Sequence, residues 1–161
     1  MKRKLLGRVS AVAMASAMMV SMFGMSVSAA GEPPKAATIT KNITKESNIY
    51  APNTSFDFTI TPGTAVSATA DSDAIYAGPE GGAYFADGAD TIASTPKSTD
   101  IGKTTVTAGT TQISINESLF KEPGIYRYVV KETTPTEGYD GITYSTEEKY
   151  FDVYIGYGED V

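Results

Sequence analysis

Gly124-Ile125-Tyr126-Arg127-Tyr128-Val129-Val130-Lys131-Glu132 is the stretch on which the fold turns. Its β-branched and aromatic content is that of a strand, so successive side chains point to opposite faces. Arg127 and Lys131 mark the solvated face. Tyr126, Tyr128 and Val130 then point inward, and Glu132 shares their parity, which puts a carboxylate at the edge of the core or inside it. Ile39-Thr40-Lys41-Asn42-Ile43 repeats the anomaly. Lys41 has the parity of Ile39 and Ile43, while Thr40, Asn42 and Thr44 line the polar side. A lysine and a glutamate both aimed inward need each other, because an unpaired buried charge is strongly destabilising. The alternative is a sandwich rim, where long side chains reach water and make an ordinary ion pair or none.

From Thr38 onward the chain is rich in Thr, Val, Ile and Tyr, with turn residues at short intervals and no sustained helical period. Strands are expected over residues 37–44, 55–61, 104–107, 111–116, 124–133 and 149–155. Phe56, Phe58 and Ile60 alternate with Asp57 and Thr59, and Ile113 and Ile115 alternate with polar neighbours. Short alternating strands between Gly, Pro and Asn clusters make the fold class all-β, a β-sandwich with one solvated face per sheet. Residues 63–103 are Ala/Gly/Ser/Asp-rich, with Ile75, Tyr76, Tyr84, Phe85 and Ile92 as apolar anchors. Weak strands joined by long loops are expected there.

The N-terminus speaks to compartment. Lys2, Arg3, Lys4 and Arg8 form a positive region, residues 9–25 are apolar and uncharged, and Val27-Ser28-Ala29 fits a small-x-small cleavage site. Residues 1–29 therefore read as a secretory signal, with a membrane anchor as the alternative. Residues 30–36, containing Gly31-Glu32-Pro33-Pro34-Lys35, read as an extended leader, and residues 37–161 as one domain. Cleavage removes four of the 13 basic residues and none of the 19 acidic ones, leaving a net charge of −10 on 132 residues. Such a balance argues against nucleic acid as a partner, and no membrane span is expected in the mature chain.

Cysteine and histidine are both absent. Disulfides cannot supply stability, and the common zinc ligand sets and Ser-His or Cys-His pairs cannot be assembled. Ser114 and Ser118 have no base to take a proton, so the chain is not expected to be an enzyme. Asp71, Asp73, Asp87 and Asp90 lack the EF-hand spacing and read as solvated loop residues, so neither metal nor cofactor is expected. Tyr126, Tyr128, Tyr144, Tyr150 and Tyr154 sit in strand-like contexts that suit packing better than a sugar-binding platform.

The signal, the inward-lysine strand Ile39-Thr40-Lys41-Asn42-Ile43 and Ser55-Phe56-Asp57-Phe58-Thr59-Ile60 resemble the opening of a Gram-positive pilin isopeptide-linkage domain. The glutamate-bearing strand over residues 124–132, followed by Gly141-Ile142-Thr143-Tyr144 and Tyr150-Phe151-Asp152-Val153-Tyr154-Ile155, is similar to its counterpart and successor in streptococcal-type major pilins. The resemblance implies an immunoglobulin-like sandwich with a self-formed intramolecular Lys-Asn amide, Lys41 as nucleophile and Glu132 as proton shuttle. Burial disfavours charge on both groups, so the pair can pass through a neutral amine and a neutral acid. It further implies a structural subunit of a surface pilus or cell-wall protein, with other pilin subunits as partners through sortase. Lys35 and Lys97, each beside proline, are candidates for that linkage, against ordinary solvated lysines.

In the family the acceptor asparagine lies near the end of the last strand, in a context like Phe-x-Asn. Asn42, Asn48, Asn53 and Asn116 all fall elsewhere in the order, so the acceptor asparagine is expected to be absent, along with the C-terminal strand and the sorting signal. Asp152 is a weak substitute, because it shares parity with Tyr150 and Tyr154 and not with Phe151, Val153 and Ile155. The competing function is a secreted adhesin that presents the loops of residues 63–103 to a host surface ligand.

Overall fold

A computed structural model describes residues 9–12, 36–136 and 142–156. Among them are the strands β1 (Val9–Val12), β2 (Ala36–Thr44), β3 (Thr54–Pro62), β4 (Ile75–Ala77), β5 (Ala83–Phe85), β6 (Thr91–Ser94), β7 (Thr105–Ile115), β8 (Gly124–Thr133) and β9 (Glu148–Ile155). They form two sheets. One has the order β1-β9-β8-β3-β6 with β4 alongside β8, and the other the order β2-β7-β5. Among the described residues only β4 and β8 pair in parallel. The chain is thus all-β, and the alternating strands pack their apolar faces against each other as a sandwich.

Parity explains the core. On β8, Tyr128, Val130 and Glu132 are buried, and on β9 the buried set is Phe151, Val153 and Ile155. All of these but Glu132 meet Ile39 of β2 and Ile113 of β7 in one cluster, while Phe56, Phe58, Ile92 and Tyr144 form a second cluster nearer the other end. Each fully buried Phe, Val or Ile contributes about 1.5–3 kcal/mol. The opposite face of β8 and β9 is wet, as expected from Arg127. The Arg127 guanidinium donates two bonds, of 2.8 and 2.7 Å, to the Asp152 carboxylate and lies over the Tyr150 ring. Asp152 is therefore outward, committed to Arg127 and remote from the interior.

Three expectations need correction. The strands expected over residues 104–107 and 111–116 are one strand, β7. Gly109 does not end it, because the pairing with β2 jumps from Lys41 opposite Gly109 to Asn42 opposite Thr107, and Ala108 is absorbed as a bulge. An added Cβ there would stand 3.0 Å from Ile92 Cγ2, a tight contact that the Ile92 side chain would have to relieve. Secondly, Tyr76 and Tyr84 are exposed and are not anchors of the region they sit in. In so short a strand as β5, Ala83 faces in and Tyr84 must face out. Thirdly, β2, β3 and β9 each begin one residue earlier than expected, at Ala36, Thr54 and Glu148, and β3 runs one residue further, to Pro62.

The connections sort to two ends. Pairing of Thr44 with Thr105 and of Thr54 with Ser94 places residues 45–53 and 95–104 at one end. Residues 63–66, 78–82 and 116–123 lie at the other, where β8 begins and β7 stops. There Tyr128 reaches out of the core to donate a 2.9 Å bond to the Pro79 carbonyl, pinning residues 78–82. β1, within the stretch read as a secretory signal, pairs with the outer edge of β9. The cleavage site at Ala29 and the leader with Lys35 lie outside the described residues.

Candidate functional site

Lys41 and Glu132 come from different sheets and meet across the interior. Lys41 is 7% exposed and Glu132 1% exposed, and Lys41 Nζ donates a 2.6 Å bond to Glu132 Oε2. Strand parity produces both placements. Ile39 and Ile43 carry Lys41 inward on β2, and Val130 and Tyr128 carry Glu132 inward on β8, where it lies opposite the buried Phe58. The β7 bulge at Ala108 sits directly beside Lys41, where such an irregularity re-aims a side chain.

Aromatic rings close the site on the side of the second cluster. Lys41 Nζ is 4.4 Å from the centroid of the Phe56 ring, and Tyr144, carried on the β8–β9 connection, packs on Phe56 with centroids 5.8 Å apart. The remaining carboxylate oxygen, Glu132 Oε1, is buried with no hydrogen-bond partner among the described residues. A buried polar atom in that condition is rare and calls for a partner group. Among the described residues no strand pairs with the outer edge of β2. The nucleophile candidate, the proton-shuttle candidate and an open strand edge thus lie together.

The asparagines of the chain are elsewhere. Asn42 points outward and accepts a 2.8 Å bond from Thr107 Oγ1; Asn48 and Asn53 are exposed in the connection between β2 and β3; and Asn116 is exposed at the far end, bonded by Ser118. Lys97 is exposed at the start of a 3-10 turn, Ser98–Asp100.

Sequence reasoning missed a second polar cluster. Lys45 Nζ donates to the carbonyl oxygens of Ile49 and Lys103, both at 2.7 Å, of Asp100 at 2.8 Å and of Glu46 at 3.2 Å. Asp100 is buried, and its carboxylate accepts the Lys97 N–H at 2.7 Å and the Ala51 N–H at 3.3 Å. The Lys97 N–H bond, ahead of the Ala51 N–H bond and the nearby Lys45 charge, holds the Asp100 carboxyl below its ordinary range against the opposing effect of burial. The Lys97–Asp100 spacing is half of a capping box and is the signal that would have found Asp100. Lys45 has no such signal, because all its partners are backbone carbonyls.

Comparison of the chain with family models, curated proteins and solved structures finds no match. Among the described residues no three His, Cys, Asp or Glu side chains converge as a metal site, and no helix is long and apolar enough to cross a membrane.

Proposed function

We propose that the chain is a structural subunit of a Gram-positive surface pilus or cell-wall protein, exported by its N-terminal signal and stabilised by an amide bond at Lys41. One observation carries the reading: a buried lysine-glutamate pair at 2.6 Å whose second carboxylate oxygen has no hydrogen-bond partner, beside a strand edge with no neighbour, both among the described residues. Stability alone does not call for such a pair, since an apolar pair of similar volume is often as good or better.

The chemistry follows from the placement. Glu132 takes a proton from the Lys41 ammonium, giving a neutral amine and a neutral acid. A strand seated on the outer edge of β2 brings an asparagine carboxamide into contact with both groups. Lys41 Nζ attacks the carboxamide carbon while the Glu132 acid hydrogen-bonds and polarises its oxygen. The new C–N bond forms as the original one breaks; Glu132 gives its proton to the departing nitrogen, which leaves as ammonia, and takes up the second proton of the lysine nitrogen, so that it ends as the neutral acid. Contact between the groups supplies the effective concentration, and the dry surroundings of Phe56, Phe58 and Tyr144 exclude competing water. The event happens once per molecule.

The test is a pair of variants in a chain that carries the acceptor strand. Glu132→Ala abolishes the mass loss of one ammonia, and Arg127→Ala, on the wet face, keeps it. The loss persisting in Glu132→Ala would exclude Glu132 as the shuttle.

A further inference from the structure

Three charged side chains are buried among the described residues: Lys41, Glu132 and Asp100. Asp100 takes no part in the chemistry above. Beside it lies Lys45, half-buried just past the end of β2, with its ammonium among the four carbonyl oxygens of Ile49, Lys103, Asp100 and Glu46. All four are main-chain oxygens, drawn from the two connections over residues 45–53 and 95–104. An ammonium has three protons for these four acceptors, so the oxygens surround a positive centre instead of matching donors one by one. The Asp100 carboxylate is near enough for the Lys45 charge to act on it, and adds a negative charge to the cluster.

Bonds that do not involve the lysine side chain hold these oxygens in place. The Asp100 carboxylate accepts the N–H groups of Lys97 and Ala51, one from each connection. Gly102 N–H donates a 2.7 Å bond to the Ser47 carbonyl, and Lys45 N–H a 2.9 Å bond to the Thr104 carbonyl. Gly102 has a φ of 87°, the left-handed region that glycine enters freely, and the turn it makes brings the carbonyls of Asp100 and Lys103 to the same ammonium. The oxygens are therefore a preformed cage.

We propose that this cage is a site for one monovalent cation of potassium size, filled in this chain by the chain's own lysine ammonium. Calcium sits about 2.3–2.6 Å from its oxygens and magnesium about 2.0–2.1 Å. The cage distances, from 2.7 to 3.2 Å, exceed both. Backbone carbonyl oxygens do replace the water around potassium, and potassium and ammonium are close in size. A tethered cation cannot diffuse away, so the two connections stay joined whatever ions surround the protein. Truncation or acylation of Lys45 removes the charge, empties the cage and leaves the buried Asp100 carboxylate less compensated. The free ion that fits the emptied cage is potassium or ammonium.

Two measurements on the full chain test this. Limited acetylation with acetic anhydride, read by peptide mass spectrometry, labels the exposed Lys121 about tenfold faster than Lys45, whose amine must first leave its oxygens. In Lys45→Ala, urea unfolding is followed in potassium, ammonium and tetramethylammonium chloride at one ionic strength, the last ion being too wide for the cage. At an ion concentration about ten times the dissociation constant, potassium and ammonium each raise the folding equilibrium constant about tenfold over tetramethylammonium. The unmodified chain shows no such difference, because its cage is filled. Lys45 labelled as fast as Lys121, or a Lys45→Ala chain that responds to potassium no more than to tetramethylammonium, would overturn the proposal. A potassium response of equal size in the unmodified chain would overturn it too. None of these outcomes touches the mass test of Glu132→Ala.

Discussion

The Lys41–Glu132 pair concentrates an energetic risk in two side chains. Removing one partner leaves a buried charge without compensation, at a cost of about 3–5 kcal/mol. In the chain without the cross-link, Lys41→Met therefore destabilises by about that amount, whereas Lys41→Met combined with Glu132→Leu recovers most of it. Urea unfolding of both variants checks this, and additive losses would show that the groups do not act as a pair. Tyr128 gives a separate prediction. Burial, the largest cause, raises its phenol well above the ordinary value of 10.0. Above that value the unfolded chain loses a proton that the folded chain keeps, so stability falls as pH rises further. Thermal melts between about pH 9 and 11 show the decline, and Tyr128→Phe removes this contribution while losing the bond to Pro79, about 1 kcal/mol. Parity made Lys41, Glu132 and Tyr128 legible from residue types alone. Lys45 was illegible because it lies just past the end of β2 and binds only main-chain oxygens that the folded loops bring together.

Among the elements, the turn over residues 78–82 depends on two glycines pressed against Tyr128. A Cβ at Gly78 would enter the Tyr128 ring, and one at Gly82 would collide with its hydroxyl oxygen. Gly78→Ala and Gly82→Ala each destabilise by about 1–3 kcal/mol, the range of an overpacked core, measurable by chemical denaturation. Loss of neither would mean that the turn can move off the ring. The loop cluster around Lys45 and Asp100 has its own pH signature. Asp100 is held below its ordinary value of 3.8, so its contribution is present above that pH and fades as pH falls through the depressed folded value. The Ala51 and Lys97 amide protons report this titration by NMR, and Asp100→Asn abolishes it. The long alternating strands were readable, and β8 has the expected bounds. β7 was read as two strands because a Gly-containing run resembles a turn, and only the pairing with β2 shows that one extra residue can be swallowed by a bulge. The exposure of Tyr76 and Tyr84 was hidden for a similar reason: three-residue strands show too little alternation to tell in from out.

For the molecule as a whole, the sheet edges bear on the role of Lys41. The outer edge of β9 carries β1, which lies within the signal proposed to leave on export, and among the described residues the outer edge of β2 carries nothing. An inward charge on an edge strand also deters unwanted pairing between molecules, so Lys41 has a bland role open to it beside the chemical one. What separates the two is the fate of its amine. The most direct measurement is peptide mapping by mass spectrometry of the mature protein recovered from the cells that make it. The account predicts a branched peptide joining Lys41 through its side chain to an asparagine-derived carbonyl, lighter by one ammonia than the two peptides apart. Recovery of Lys41 in an ordinary linear peptide, with its amine free, would contradict it.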